Sequence, residues 1–384
     1  MPGAMRHRRH VLAFLVLAGG LALALGASAP WASPAPPPEP SAATPAGPAA
    51  TPSPFRSSDP APLGAVVTAP LRLPAGGPVK GMTVSCPTWG WEWGSDAMVE
   101  TMRELAALGV NWVAIHPYAR IGNDGTVSFR ALDTADPPEW LARPIAEGHA
   151  MGVKVFIKPH LAYWGSRFSW RGDITFDDRE SWDRFFRTYA VWIETMAAAS
   201  AGADAFAVGT ELDGTIEHEA EWREITRRVR DVYDGPLTFA SNWTDYQRVP
   251  FWDALDAIGI QAYFPLHTRG VPTDAELDAG WAKVMTDVTA LSARVGRPVV
   301  FTELGYNRSL GAARQPWDYS VDAGAEASDL QARCLDAALR AIDGQPDVVG
   351  AFLWKWFPGR SQPRDFDASA PAMQEVIGRR WGEL

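Results

Sequence analysis

Two stretches of the chain end alike: "FAVGTELDG" over 206–214 and "VVFTELGYN" over 299–307. In each, an apolar run breaks off at Thr-Glu-Leu, so Glu211 and Glu303 both stand where a buried segment reaches its end. A carboxyl group in that position suits acid–base or nucleophilic work, because burial and neighbouring charges shift its pKa. Two such groups about 5–5.5 Å apart can cleave a glycosidic bond with retention. One protonates the leaving oxygen while the other attacks the anomeric carbon. For a single Glu, a surface carboxylate at a loop start or in an ion pair would be explanation enough. Two at matching run ends, among Trp, Tyr, His and Asn, favour one shared site.

The ends of the other apolar runs carry the same kind of residue. Trp89, Trp91 and Trp93 follow the first, His116 and Tyr118 close the second, and Lys158, His160 and Trp164 close the third. Thr210, Glu211 and Asp213 end the fourth, Asn242 and Trp243 the fifth, and Gln261 and Tyr263 the sixth. Glu303 and Tyr306 end the seventh, and Trp354, Lys355 and Trp356 the eighth. A phenol at Tyr263 can hydrogen-bond Glu303, or be a core ring. Trp354 is the best-placed platform for a sugar beside the carboxylates. Trp89, Trp91, Trp93, Trp164, Trp170 and Trp317 are candidates for outer subsites, some of which must be core or loop-packing rings. Trp243 and Trp356 are further substrate-binding candidates. Asn242 can hold a sugar hydroxyl or cap the turn that follows it. Lys158 can orient a carboxylate or form a structural ion pair. His116 and His160 fit sugar hydrogen bonds or buried, satisfied rings better than a metal pair, since no carboxylate-and-His cluster accompanies them. Asp213, beyond the run end, reads as a loop organiser.

These groups need a scaffold that brings eight run ends together. From Val79 onward the apolar runs are 79–84, 110–118, 153–161, 203–211, 237–243, 255–264, 298–306 and 348–356. Helical stretches fill most gaps: one opening at Ser95 and ending at Gly109, then others near 138–151, 178–200, 219–233, 275–295 and 326–343. The fifth gap, "TDYQRVPFWDA", holds no more than a turn or two. The runs lack polar alternation, as parallel strands covered on both faces do. Eight β/α units in this length predict an α/β fold, a (β/α)8 TIM barrel, whose active site lies at the C-terminal strand ends. No Gly-x-Gly-x-x-Gly opens the first helix, which removes the dinucleotide-binding alternative.

Composition narrows the partners. The 384-residue chain has a formal net charge of −10, which speaks against nucleic acid. Eighteen tryptophans suit both a core and a surface that stacks pyranose rings. Cys86 and Cys334 alone are no disulfide framework, and no Cys-x-x-Cys or His-x-x-x-His spacing occurs, so no metal or cofactor is expected. Residues 1–32 read as an export signal, with Arg6, Arg8 and Arg9 before an apolar run from Val11 to Leu25. Pro30 makes a poor cleavage site, so a membrane anchor within 11–29 is the alternative to a secreted, periplasmic or cell-surface protein. Residues 33–78, rich in Pro, Ala, Ser and Thr, read as a disordered linker, and 79–384 as the catalytic domain.

The motifs "KGMTVSCPTWGWEW", "IKPH…WRGDI", "VGTEL", "SNW", "QAYFPL", "FTELGY" and "FLWKW", spread over about 80–360, resemble glycoside hydrolase family 113. That family belongs to the retaining (β/α)8 glycosidase clan, and its characterised members are mainly endo-β-1,4-mannanases. The resemblance implies Glu211 as acid/base and Glu303 as nucleophile, acting on a β-linked polysaccharide. Many clan relatives place Asn before the acid/base to bind the sugar 2-hydroxyl, where this chain has Thr210. Hydrolysis of another β-glycan, exo action, and a non-catalytic sugar-binding barrel stay open as alternatives.

Overall fold

The computed structural model describes residues 77–359 and 365–382. The expected export segment and nearly all of the linker lie outside the described residues.

Eight strands form a closed barrel: β1 (Val79–Val84), β2 (Trp112–Ile115), β3 (Lys154–Ile157), β4 (Ala205–Thr210), β5 (Leu237–Asn242), β6 (Ala257–Gln261), β7 (Val299–Leu304) and β8 (Val348–Trp356). Each pairs with its sequence neighbours, β1 meets β8, and every barrel pairing is parallel. The helices are α1 (Asp96–Ala107), α2 (Glu139–Ala150), α3 (Arg179–Ala199), α4 (Glu219–Arg230), α5 (Asp274–Val295), α6 (Ala325–Ile342) and α7 (Pro371–Trp381). The connection from β5 to β6 holds one turn of 3-10 helix, Trp252–Ala254.

Local chemistry explains the boundaries. Thr273 and Glu276 form a reciprocal capping box at the start of α5, and Gly296 ends it at φ 70°. Asp178 opens α3 by accepting from the Ser181 N–H at 2.8 Å. Ser95 does precede α1, but its hydroxyl donates backward to the Glu92 carbonyl at 2.6 Å instead of capping the helix.

Two expected runs are each split by a proline. Pro117 and Pro159 have no N–H to give to a sheet, so the barrel ladder stops at Ile115 and Ile157. Beyond them the chain pairs again, outside the barrel. Tyr118–Ile121 runs parallel to His160–Ala162 and antiparallel to Val127–Ser128, with Tyr118 opposite His160. This small sheet places Tyr118 and His160 past the C-terminal ends of β2 and β3.

The main core fills the space between barrel and helices, and a second cluster that includes Trp112, Phe156 and Phe352 packs apart from it. A third, aromatic cluster joins Tyr263, Trp354 and Phe366 with partly buried Trp243, Trp317 and Tyr319. Cys86 and Cys334 are free, buried thiols. Among the described residues no helix is long and apolar enough to cross a membrane.

Candidate active site

Glu303 is the penultimate residue of β7, opposite Gln261 of β6, and only 3% exposed. A carboxyl group so deep needs partners for its lone pairs. Tyr263, just past β6, donates its phenol to Oε2 at 2.6 Å. Lys158, just past β3 and fully buried, donates its ammonium to Oε1 and bonds the Thr302 carbonyl at 3.1 Å. Burial pulls the Lys158 pKa down, and the Glu303 charge and hydrogen bond push it back up. His160 Nε2 lies 3.7 Å from the same Oε1.

Glu211 follows β4 directly, with its N–H bonded to the Ala240 carbonyl at 2.8 Å. Its φ of 53° is the one positive value among described non-glycine residues. Holding a glutamate in the left-handed region costs on the order of 1–3 kcal/mol, a strain that surrounding structure must impose. Arg171, in the loop between His160–Ala162 and α3, donates Nη1 to Glu211 Oε2 at 2.8 Å. Burial raises the Glu211 pKa most, and the Glu303 charge adds to it. Arg171, Lys158 and a Trp170 hydrogen bond oppose the rise. One carboxyl is thus clamped by a lysine and a phenol, and the other is held by an arginine while burial favours its protonated form.

A buried and a partly buried carboxyl with unlike surroundings, at the ends of β7 and β4, are suited to a reaction needing one acid and one nucleophile. The model of Glycoside Hydrolase Family 113 matches residues 82–370. The chain belongs to glycoside hydrolase family 113. Among solved structures, the family 113 β-mannanase AaManA from Alicyclobacillus acidocaldarius, in complex with ManMIm, is 28% identical. The match covers 79% of this chain and 97% of that one, with a TM-score of 0.69. A second family 113 β-1,4-mannanase is 21% identical over 80% of this chain and 100% of its own, at TM-score 0.69. A β-glucuronidase from Ruminococcus gnavus is 14% identical over 79% of this chain and 50% of its own, at TM-score 0.53. These last two likenesses bear on the fold alone. No curated protein matches the chain.

Within this family 113 hydrolase, the strand-end residues sort by depth. Trp354 is 9% exposed, and its ring is stacked with His160 at 6.1 Å between centroids. His160 is stacked in turn with His116 at 4.7 Å. Burial lowers the pKa of both histidines well below the usual value, so both rings are neutral near pH 7. His116, fully buried, backs His160 and offers no surface for a sugar. Tyr118 links these rings outward, meeting Trp164 at 5.4 Å, and Trp164 meets Trp89 at 5.8 Å. Trp91 is 49% exposed with the Arg130 guanidinium over its ring. On another side Trp243 stacks with Trp317 at 5.3 Å. Asn242 Oδ1 accepts from the Trp243 N–H, and the Asn242 side chain hydrogen-bonds Asp213.

Two expectations are corrected. Trp356 is not a stacking surface: it is 4% exposed, packs in the main core and lies opposite Val84 of β1. Trp93 is likewise no stacking surface: it is fully buried and donates its indole N–H to the Val84 carbonyl at 2.9 Å. Both errors have one cause: a tryptophan at a run end can pack inward, and the run end alone does not show how deep its ring lies. Thr210 is 1% exposed, and its hydroxyl has no hydrogen-bond partner among the described residues.

Strand-end reasoning missed Arg171 and Tyr319. Neither ends a strand. Burial raises the Tyr319 pKa, and the charges of Glu211 and Glu303 reach it. The signal for Arg171 was an arginine between Trp170 and Gly172 in a long aromatic loop, a setting that buries a guanidinium and calls for a carboxylate partner.

Proposed function

We propose that this family 113 enzyme is an exported hydrolase that cleaves β-1,4-mannan within the chain, with retention at the anomeric carbon. Glu211 serves as acid/base and Glu303 as nucleophile. The observation that carries this reading is the inequality of the two carboxyls. Glu303 is fixed between Lys158 and Tyr263, which hold both of its oxygens in hydrogen bonds. Glu211 is the one that burial shifts toward its protonated form, as a general acid requires.

In the first step a Glu303 oxygen bonds the anomeric carbon, the bond to the leaving oxygen breaks, and the Glu211 proton passes to that oxygen. In the second, water bonds the anomeric carbon, its proton returns to Glu211, and the bonding pair of the ester returns to Glu303. Trp354, stacked on His160, offers the ring face beneath the reacting sugar. The mannan preference is supported by the 28% identity to the AaManA β-mannanase, and export by Arg6, Arg8, Arg9 and the apolar run after them.

Turnover on mannan, glucomannan, cellulose and xylan, with Glu303→Ala as the control, tests the reading. Mannan and glucomannan should be cleaved by the wild type alone. Equal inactivity of both proteins on all four would end the enzyme reading. Proton NMR of the first-formed anomer should show the β form, and inversion would remove the nucleophile role from Glu303.

A further inference from the structure

Arg171 is a buried cation that neither step above uses. Its guanidinium is pinned twice, by Nε to the Leu161 carbonyl at 3.2 Å and by Nη1 to Glu211 Oε2 at 2.8 Å. Its side chain is 8% exposed and that of Glu211 is 15% exposed. The loop that carries it is tightly built. A Cβ on Gly172 would sit 2.0 Å from the Trp170 ring, and one on Gly214, three residues past Glu211, would sit 2.5 Å from the Ile174 carbonyl. Gly172 thus lets the Trp170 ring close on its own loop, and Gly214 lets the turn after Glu211 pack on that loop. Arg171 therefore cannot swing away without unpacking this contact.

This pairing is awkward for an acid, since a guanidinium favours the ionised carboxylate. It makes sense for a base. After the first step Glu211 has lost its proton, while Glu303 is an ester without charge. An ionised, poorly solvated Glu211 then needs a fixed cation, and Arg171 is in contact with it. We propose that Arg171 is a positioning residue for the second step, holding Glu211 as an aligned carboxylate ready to take the proton of the attacking water. The proposal rests on the retaining reading above.

The groups that act electrostatically with Glu211 are Arg171, Lys158, Glu303, Asp213, Tyr163, Tyr263 and Tyr319. Arg171 is the cation that touches it. Removing it raises the Glu211 pKa, so both pH limits that Glu211 sets move upward: the alkaline limit of kcat/KM and the acid limit of kcat.

The test uses the full-length enzyme and a dinitrophenyl β-mannobioside, whose leaving group needs no acid. Arg171→Met should show a burst of dinitrophenol followed by turnover slowed about 100-fold, the scale of general base catalysis. Apparent KM should fall with kcat, as happens when an intermediate accumulates. Azide, a nucleophile with no proton to lose, should restore turnover and yield a β-mannosyl azide. Arg171→Lys should recover part of the rate. An Arg171→Met enzyme with no burst, no azide rescue and unmoved pH limits overturns the proposal. The wild-type enzyme is also treated with a 2-fluoro-mannoside trap. Wild type that leaves no glycosyl adduct on Glu303 overturns the retaining reading and this proposal together. An adduct in the wild type with no burst in Arg171→Met overturns this proposal alone.

Discussion

Asp213 lies two residues beyond Glu211, with Oδ1 enclosed and without a hydrogen-bond partner among the described residues. Burial raises its pKa well above the usual aspartate value, the charges of Asp245 and Glu211 raise it further, and the Asn242 side chain works against them. A carboxyl whose folded pKa exceeds its unfolded one costs stability once the unfolded chain ionises, from about pH 4 upward. Asp213→Asn keeps the Asn242 contact and removes that cost. Its Tm should exceed the wild type's near neutral pH, by about 2–4 °C for each kcal/mol relieved. The gain should vanish as the pH falls toward 4. A gain that is flat from acid to neutral pH would show that the charge is not its origin. His116 and His160 act in the opposite sense. Their pKa values are lowered by burial, so the unfolded chain binds protons first below about pH 6.5 and stability is lost on acidification.

At the scale of elements, the barrel was legible because its strands carry little but apolar residues. All nine residues of β8 are buried, and its observed bounds coincide with the apolar run. The six helices between strands were equally plain, since each is amphipathic between two such runs. The small sheet was not, because its strands are two to four residues long and were absorbed into longer runs that Pro117 and Pro159 in fact divide. Helix α7 went unread because no β-run follows it to complete a unit. Yet α7 holds the start of the barrel. Lys80 of β1 donates to the Trp381 carbonyl at 2.9 Å, and Asp336 of α6 binds Arg379 and Arg380. Gly109, expected simply as a helix stop, is where α7 arrives. It has φ 86°, and a Cβ there would fall 2.1 Å from the Trp381 carbonyl oxygen. Gly109→Ala therefore combines a strained backbone with a backbone clash, and should destabilise by more than about 1 kcal/mol. Urea unfolding measures this directly. An unchanged midpoint would mean that α7 can shift away without cost, and so contributes little to closing the domain.

For the molecule as a whole, the arrangement of rings around the carboxyls bears on how a polymer is attacked. One arm runs from His160 through Tyr118 to Trp89 and Trp164, carried by the loops after β1 and β3 and by the small sheet. The other runs from Tyr263 and Phe366 to Tyr319, with Trp243 and Trp317 stacked beside them. Were the two arms to grip opposite ends of a glycan, it would extend past the cleavage point in each direction, which is the requirement for cutting inside a chain. Removing a ring from either arm should then weaken binding of long substrates at that end. Trp164→Ala and Trp317→Ala should each raise KM for mannohexaose about tenfold, the equivalent of ~1.4 kcal/mol. KM for a short aryl mannoside should change little in at least one of them. The two variants should also shift the product pattern in opposite directions, because each loses grip on a different end of the hexasaccharide. If one substitution leaves every substrate length and product ratio untouched while the other impairs them all, only one arm holds sugar. The enzyme would then release units from a chain end, and the ring pair on the silent side would serve to pack its loop.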